Sequence, residues 1–563
     1  MAFDHRKYRP FPPLAKRDRR WPNEVISRAP DWCAVDLRDG NQALVKPMSV
    51  AQKKKLFQLL VEIGFKEIEV GFPAASQTDF DFVRALIEEN RIPDDVTVQV
   101  LTQAREDLIA RSYESLKGAK QAVMHVYNST SIVQREQVFC LDRDGIKQIA
   151  VRGAQWVKQY AEKYPQTDWT FQYSPESFTG TEVDYAVEVI DAVNQVWQPQ
   201  QGQKVVINLP ATVEVSTPNV YADMIETVID TMQQRPHVRI SLHTHNDRGC
   251  GVAAAELGVM AGADRVEGTL LGNGERTGNM DLITMAMNLY SQGVDPQLDF
   301  SRMKEIVDVV QEVTDITMHP RHPYAGEFVY AAFSGSHQDA IRKGLARYQE
   351  GDVWQVAYLP INPADVGRRY EEVVRINSQS GKGGVVHVLE RDFGITLPRW
   401  LQVEFAKIAQ REAEAEGGEV NGARIHQLFN QHYLTIRDGW KLQGYELSRN
   451  ADVVSAQIML EGSTQPLMAQ GSGAVSALVN ALKSESGVNI QVESFDEFSL
   501  GDNTASNALA CVRMQVDSKV VSAAALADDT TSAALQAVLN AVSEAVSSEV
   551  LVAALQGANL TPA

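Results

Sequence analysis

Residues 32–72 read WCAVDLRDGNQALVKPMSVAQKKKLFQLLVEIGFKEIEVGF, and this stretch decides the fold class of the chain. It begins and ends with short β-rich runs, WCAVDL and EIEVGF. Between them, residues 49–64 have the apolar period of a helix, which Ser49 can cap at its start and Gly64 can end. A strand, a helix and a second strand in this order indicate a βα unit with parallel strands.

The same alternation continues from about residue 31 to residue 293, where we count eight β-rich runs, each followed by a segment that can be helical. The runs are WCAVDL (32–37), EIEVGF (67–72), VTVQVL (96–101), AVMHVY (122–127), WTFQYS (169–174), KVVINL (204–209), VRISLH (238–243) and DRVEGTL (264–270). Eight such units predict an α/β fold of the TIM (β/α)8 barrel type, whose chemistry lies at the carboxyl ends of the strands. A doubly wound open sheet is the competing fold, which is weakened because no GxGxxG follows the first run.

The alternation stops after about residue 300, so the second half of the chain is predicted to be organised differently. Helices are predicted at 301–316, 337–348 and 398–416. From about residue 433, segments rich in Gly, Ser and Ala alternate with strands. The similarity of ALVNAL (477–482) to AVLNAV (537–542) indicates a weak internal repeat of strand-plus-helix units.

The amino-acid composition limits the kinds of molecule that the protein can bind and the cellular compartment in which it is expected. The 563 residues carry a formal net charge of −19, which argues against nucleic-acid and membrane-surface partners. The four cysteines form no CxxC pair and no apolar run approaches the roughly 18 residues of a bilayer span, so a reducing cytoplasm is expected. The basic, proline-rich first 30 residues are predicted to form an extended arm on the barrel or on a partner subunit, since their prolines disfavour an amphipathic transit helix.

Metal-binding residue types are concentrated in HTHND (243–247), at the end of the seventh run. Residues two apart in a strand share a face, so His243 and His245 can point at one metal ion, although such histidines are more often structural. Asp39 follows the first run and Asn279 follows the eighth. Taken singly, Asp39 is better explained as a turn residue and Asn279 as a helix N-cap. Together these nitrogen and oxygen ligands suit Mg²⁺, Mn²⁺ or Zn²⁺, with open positions for a chelating substrate.

Several motifs carry a resemblance to a known family: LRDGNQ, GFPAASQTDF, NLPATVE, HTHNDRG, GNGERTGN, FSGSHQDA, YLPINP and NSQSGKGG. On these motifs the chain resembles the 2-isopropylmalate synthases of the longer type, within a wider group of metal-dependent Claisen-condensing and aldol-cleaving TIM barrels. The similarity runs from about residue 20 to the C-terminus. It implies a cytoplasmic acyltransferase that condenses acetyl-CoA with 3-methyl-2-oxobutanoate and water, giving 2-isopropylmalate and CoA in the first committed step of leucine biosynthesis.

The resemblance also implies a metal site. A divalent ion, with Mg²⁺ preferred over Mn²⁺ or Zn²⁺, would be bound by Asp39, His243, His245 and Asn279 and chelated by the 2-oxo acid. Arg38 would stabilise the alkoxide that forms as the C–C bond closes, and its alternative role is a salt bridge to a neighbouring carboxylate.

Five further residues match family positions. His337 would remove a proton from the acetyl methyl group, with Tyr358 nearby, and both would reach the barrel mouth of a neighbouring subunit in a homodimer. Without the resemblance, His337 would be interpreted as a capping or packing residue near a helix start. Thr212 would bind the oxo-acid carboxylate, and Glu176 and Glu275 would orient the substrate, water or the base, although any of the three could instead be a structural partner of a barrel-mouth arginine.

The resemblance divides the chain into an extended arm (1–30), a catalytic barrel (31–325), linker subdomains that complete the active site (326–432) and a regulatory leucine-binding domain (433–563). Leucine would bind at a dimer interface and lower activity, although the alanines of 521–535 stand where a more glycine-containing segment is expected. The SGKGG cluster at 380–384 lacks the GxxxxGK spacing of a phosphate loop and is predicted to be a flexible loop.

Other functions stay open on these residues. Citramalate and homocitrate synthases share the barrel chemistry and would take pyruvate or 2-oxoglutarate instead. A lyase of the hydroxymethylglutaryl-CoA type would carry a cysteine near the eighth run, and none occurs between Cys250 and Cys511. A non-catalytic amino-acid sensor could keep the barrel, but the intact set of metal-binding residues and His337 argue against it.

Overall fold

The computed structural model describes residues 5–12, 14–200, 204–370, 382–416, 420–436, 439–450, 452–461, 463, 465–500 and 507–546. These residues fall into two compact units, one within Met1–Tyr330 and Pro360–Arg369 and the other within Ala331–Leu359 and Tyr370–Ala563. Within the described ranges, no helix has both the length and the apolar character that a membrane crossing requires.

The first unit contains a closed barrel of eight parallel strands that follow one another in chain order, as the β-rich runs predict. The strands are β1 (Asp31–Ala34), β2 (Glu67–Gly71), β3 (Thr97–Gln103), β4 (Gln121–Ser129), β5 (Asp168–Glu176), β6 (Val205–Ala211), β7 (Val238–Thr244) and β8 (Arg265–Gly268). Strand β1 pairs with β8, with Trp32 opposite Val266, and this pairing excludes the open doubly wound sheet. The carboxyl ends of all eight strands therefore meet at one mouth.

Helices connect the strands around the barrel. They are α1 (Val50–Ile63), α2 (Gln77–Glu88), α3 (Glu106–Ser115), α4 (Ile132–Gln134), α5 (Arg143–Ala161), α6 (Val183–Trp197), α7 (Pro218–Thr231), α8 (Gly251–Met260), α9 (Leu282–Ser291) and α10 (Met303–Thr314). At the start of α1, the Ser49 hydroxyl accepts from the Gln52 amide at 3.4 Å, and the Gln52 side chain accepts from the Ser49 amide at 3.0 Å. The helix ends at Gly64, whose φ of 113° lies in the left-handed region, so both predicted ends are confirmed.

The N-terminal arm lies along α7. The Arg19 guanidinium donates to both oxygens of Asp223 at 2.7 and 2.8 Å, and the Trp21 indole donates to the same carboxylate at 2.9 Å. The backbone amides of Arg20 and Trp21 each donate to Glu226 at 3.0 Å. Asp223 and Glu226 are buried, so the arm supplies the hydrogen bonds that two buried carboxylates need.

The second unit contains helices followed by two antiparallel three-stranded sheets, ordered β11-β10-β9 and β12-β13-β14. Its elements are α11 (Gly335–Leu345), α12 (Lys382–Phe393), α13 (Arg399–Glu416), α14 (Gly422–Phe429), β9 (Leu442–Asn450), β10 (Val453–Leu460), β11 (Leu467–Gly471), α15 (Ala474–Ser486), β12 (Ile490–Leu500), β13 (Asn507–Val516), β14 (Lys519–Ala527) and α16 (Thr530–Ala545). The segments 477–482 and 537–542 lie in α15 and α16, so the internal repeat is confirmed as two βββα copies. The helices predicted at 301–316, 337–348 and 398–416 correspond to α10, α11 and α13.

The glycine cluster at 380–384 is only partly described. Residues 380 and 381 lie outside the described residues, and α12 begins at Lys382. The loop prediction is therefore wrong from Lys382 onwards. Val385, Val388 and Leu389 of α12 are buried in an apolar cluster with α13 and α14, and burying this face outweighs the low helix propensity of the preceding glycines.

Candidate active site

The barrel mouth holds a cavity of about 620 Å³ at the carboxyl ends of the strands. The sequence-predicted residues that line it are Arg38, Asp39, Glu176, Thr212, His243, His245 and Glu275. Asn279 is buried beside Asp39. The structure thus brings together all the candidates predicted from the barrel part of the sequence, although they come from the ends of five different strands.

Arg38 and Asp39 lie in one π-helical turn, Asp36–Gly40, which follows β1. The Arg38 guanidinium lies between the carboxylates of Asp39 and Glu69 and donates to both. Burial by itself would lower the pKa of Arg38, but these two carboxylates outweigh it and raise the pKa, so the positive charge is retained. Burial would raise the pKa of Asp39, but the Arg38 charge outweighs it and holds that pKa well below its usual range. The turn therefore presents a fixed cation and a fixed anion to the cavity.

His243 of β7 and His245, which follows the end of β7, flank Asp39. Nε2 of His243 lies 3.2 Å from Oδ2 of Asp39, and Nε2 of His245 lies 3.8 Å from the same oxygen. The Nδ1 atom of His243 lies 2.8 Å from Glu267, which fixes the ring orientation. Candidate ligand atoms of Asp39, His243 and His245 all lie within 4.8 Å of one another, a separation that suits a single ion.

Two buried polar atoms beside this group make no hydrogen bond within the described structure, namely Nδ1 of His245 and Oδ1 of Asn279. Unpaired buried polar atoms are rare, and a bound ion is one explanation for them. The Asn279 amide donates from Nδ2 to Asp39 at 2.7 Å, so a half-turn of this amide would direct its oxygen at the same place. The residues present therefore fit a divalent cation held by one carboxylate, two imidazoles and one amide oxygen.

Cation binding at this site is expected to release a proton. Burial would lower the His243 pKa, but hydrogen bonds to Asp39 and Glu267 outweigh it and raise the pKa to about 9. The His245 pKa is lowered to about 4 by burial and by the neighbouring His243 charge, so His245 is already neutral at about pH 7. Below about pH 9 an ion can use Nε2 of His243 only after its proton leaves, so affinity falls as pH falls.

We therefore expect Mn²⁺ binding at about pH 7.5 to release about one proton per site, and affinity to rise up to about tenfold per pH unit towards about pH 9. Calorimetry in buffers of different ionisation enthalpy measures the released proton directly. A binding heat that is the same in every buffer would contradict this expectation.

The end of β5, the loop after β6 and the loop after β8 hold three further candidate residues. The Thr212 hydroxyl accepts from the Ser177 amide at 2.9 Å, which leaves its own proton available to a ligand. Glu176 accepts hydrogen bonds from Gln134 at 3.1 Å and from the Ser177 hydroxyl at 3.1 Å. Glu275 is half-buried at the rim of the cavity. Two carboxylates and a hydroxyl donor therefore line the same cavity as Arg38.

His337 and Tyr358 belong to the second unit and are brought together there. Their rings stack with centroids 3.9 Å apart and planes 23° apart. His337 is exposed in the first turn of α11. Tyr358 is 59% exposed and has a φ of 65°, a left-handed conformation that is uncommon for a bulky residue. An exposed aromatic pair with a strained backbone is typical of a functional surface.

A charged network inside the barrel was missed at the level of sequence. Glu69 contacts Arg38 and also lies 2.9 Å from Nδ1 of His125. Glu267 contacts His243 and also accepts a hydrogen bond from Arg265 at 2.7 Å. Both carboxylates are fully buried and support residues of the cavity from below. The available signal was an acidic residue inside an otherwise apolar run, in EIEVG and RVEG, because a buried carboxylate requires partners.

Arg265→Met is expected to destabilise the fold by about 3 to 5 kcal/mol, because it removes a buried charge that pairs with the buried Glu267. The Arg265 side chain is fully buried and also donates to Glu67 at 2.7 Å. Arg239 is a matched control, since it contacts the same Glu67 at 2.8 Å from a side chain that is 33% exposed. Arg239→Met should cost only about 0 to 1 kcal/mol in urea unfolding, and equal losses in the two variants would refute the argument.

Comparison with known proteins agrees with this architecture. The HMGL-like family model matches residues 29–310, which include the whole barrel. The model for the alpha-isopropylmalate synthase post-catalytic domain matches residues 327–390, and that for the LeuA allosteric (dimerisation) domain matches residues 419–546. The 2-isopropylmalate synthase of Alcanivorax borkumensis is 68% identical over 96% of this chain and 98% of its own length.

The chain belongs to the 2-isopropylmalate synthase family. Two more distant members also match this chain over more than nine-tenths of its length. The synthase of Rhodospirillum rubrum is 53% identical over 91% of this chain and 93% of its own length. That of Pseudomonas savastanoi pv. phaseolicola is 51% identical over 96% of this chain and 97% of its own length. The resemblance carried by the sequence motifs is therefore confirmed along nearly the whole chain.

Proposed function

We propose that this protein is a cytoplasmic acyltransferase that condenses acetyl-CoA with 3-methyl-2-oxobutanoate and water to give 2-isopropylmalate and CoA, the first committed step of leucine biosynthesis. The observation that carries the proposal is the convergence of Asp39, His243 and His245 beside Arg38 at the barrel mouth. Full-length relatives that are named 2-isopropylmalate synthase support this choice of substrate.

The divalent ion would be held by Asp39, His243, His245 and Asn279. We propose that this ion is Mg²⁺ and that Mn²⁺ or Zn²⁺ can replace it. When bound, the ion polarises the keto group of the 2-oxo acid. The unpaired Nδ1 of His245 and Oδ1 of Asn279 support this assignment. Glu267 keeps the His243 ring oriented through its contact with Nδ1.

The other side chains around the cavity have different proposed roles in binding the substrate and stabilising charge. Arg38 keeps its charge because of its two carboxylate neighbours, and it stabilises the negative charge that develops on the keto oxygen. Thr212 donates its hydroxyl proton to the oxo-acid carboxylate. Glu176 and Glu275 orient the attacking water and neighbouring groups.

His337 is the proposed base. It takes a proton from the acetyl methyl group, the methyl carbon bonds to the keto carbon, and the keto oxygen becomes an alkoxide beside Arg38. A proton then passes to the alkoxide, which gives the product hydroxyl and returns His337 to its neutral form. Water attacks the thioester carbonyl, so that CoA leaves as the thiol and a carboxylate and one proton are released. Tyr358 stacks on the His337 ring and holds its plane. We propose that a neighbouring subunit of a homodimer supplies both residues.

The domain assignment and the regulation are part of the same proposal. We assign an arm to residues 1–30, the catalytic barrel to 31–325, linker subdomains to 326–432 and a leucine-binding regulatory domain to 433–563. The match of residues 419–546 to the LeuA allosteric (dimerisation) domain supports inhibition by leucine.

The test is CoA release by the purified protein with Mg²⁺ or Mn²⁺, acetyl-CoA and a panel of 2-oxo acids. The proposal requires that 3-methyl-2-oxobutanoate is preferred over pyruvate and 2-oxoglutarate, and that leucine lowers the rate. Preference for one of the other acids would move the chain to citramalate or homocitrate synthesis. No release with any acid would favour a sensor.

A further inference from the structure

The loops that follow β6, β7 and β8 are joined by the side chain of Arg276. Its Nε donates to Asp247 at 2.7 Å, and its Nη2 donates to the second oxygen of Asp247 at 3.2 Å and to the Thr212 carbonyl at 2.5 Å. Asp247 in turn accepts from the Glu214 amide at 3.0 Å, two residues beyond Thr212. One guanidinium therefore ties the β6 loop to the β7 loop from its place in the β8 loop.

The backbone around Arg276 is held tightly. Arg276 has a φ of 57°, in the left-handed region that a long side chain seldom adopts. A Cβ atom at Gly278 would lie 2.0 Å from the Gly272 carbonyl oxygen, so the two arms of the loop touch each other directly. The loop thus fixes the position of the Arg276 backbone. The Arg276 side chain in turn holds Asp247 and the Thr212 carbonyl in place through its hydrogen bonds.

Thr212 is the residue that this arrangement positions. Its hydroxyl is bonded to the Ser177 amide on one side, and its carbonyl is bonded to Arg276 on the other. We propose that Arg276 is a positioning residue for the 2-oxo acid, which acts through Thr212 by way of its ion pair with Asp247. The inference rests on the function proposed above and deepens it, because it names a determinant of affinity for the oxo-acid carboxylate.

Arg276 itself also lines the cavity and its side chain is 40% exposed, so direct contact with the substrate is the competing role. The two roles differ in their coupling to Thr212. If Arg276 acts through Thr212, its replacement has no effect once the Thr212 hydroxyl is absent, whereas a direct contact is lost independently.

The experiment measures KM, kcat and the calorimetric Kd of 3-methyl-2-oxobutanoate with Mn²⁺ present. Arg276→Gln is expected to raise KM and Kd for the oxo acid at least about tenfold, with KM for acetyl-CoA changed less than about twofold. Arg276→Lys should recover part of this loss, because lysine pairs with Asp247 but lacks the forked geometry. In a Thr212→Val background, Arg276→Gln should add less than about twofold to KM.

Asp247→Asn removes the charge of the other partner of the ion pair, so it should raise the oxo-acid KM as much as Arg276→Gln does. The double variant should show no further loss.

Arg239→Gln is the control, because Arg239 also binds two carboxylates, Asp31 and Glu67, at the opposite end of β7. Additive effects of the Thr212 and Arg276 variants, or an unchanged oxo-acid KM, would overturn the inference. If the wild type binds the oxo acid but releases no CoA, the reaction proposed above fails while Kd still tests the positioning; if it does not bind the acid, both fail.

Discussion

Replacing Asp39 with asparagine is expected to lower kcat/KM for CoA release at least about 1,000-fold, which corresponds to about 4 kcal/mol of transition-state stabilisation. Asp39 contacts both His243 and His245 and pairs with Arg38, so its anion is the centre of the candidate metal site. A neutral amide binds a hard cation more weakly than a carboxylate does, and it leaves the Arg38 charge with one carboxylate partner fewer. The same variant should lose measurable Mn²⁺ binding in calorimetry.

Asp36→Asn is the matched control for this change. Asp36 is a buried carboxyl in the same π-helical turn, and burial raises its pKa to about 7. It is thus already largely protonated at slightly acid pH, and an amide imitates its neutral form while keeping the hydrogen bond from the Leu270 amide. We expect Asp36→Asn to change kcat/KM less than about threefold. Comparable losses in both variants would show that Asp39 acts by maintaining the turn rather than by binding the ion.

Replacing His337 with alanine is expected to lower kcat by about 100-fold to 10,000-fold, the range that a general base contributes. The KM for 3-methyl-2-oxobutanoate should stay within about twofold, since the proposed role concerns the methyl group of acetyl-CoA. Steady-state kinetics with each substrate varied in turn separates the two effects.

His426→Ala provides the corresponding control in the same unit. The His426 ring stacks on Phe393 with centroids 4.1 Å apart, just as the His337 ring stacks on Tyr358, so both substitutions remove an imidazole from an aromatic partner. Only the His337 variant should lose activity. A full kcat in His337→Ala, or an equal loss in His426→Ala, would remove His337 from the mechanism.

The barrel could be predicted from the sequence because each strand is an apolar run bounded by a helix of clear period. Asp39, His243 and Asn279 could be proposed because the carboxyl ends of parallel strands converge by geometry, whatever their separation along the chain. His337 depended entirely on the family resemblance, since an exposed histidine in the first turn of a helix has no distinguishing pattern of its own.

The supporting charges could not be predicted in the same way. The contacts of Glu69 with His125 and of Glu267 with His243 join different strands, so they form only when the barrel closes. No local spacing in the sequence encodes them. The start of α12 was missed for a related reason. Its glycines favour a loop locally, whereas the burial of Val388 and Leu389 against distant helices favours a helix.

The arm on α7 bears on the order in which the chain acquires its structure during synthesis. Arg19 leaves the ribosome 204 residues before its partner Asp223, so at about 5 to 20 residues per second the two are separated by about 10 to 40 s. Throughout that interval the arm has no place to dock, and β1 to β6 are all synthesised before its partner helix α7. The segment that is made first therefore cannot take its native position until more than 200 further residues have been added, whereas the carboxylates of α7 find their arm partners already synthesised.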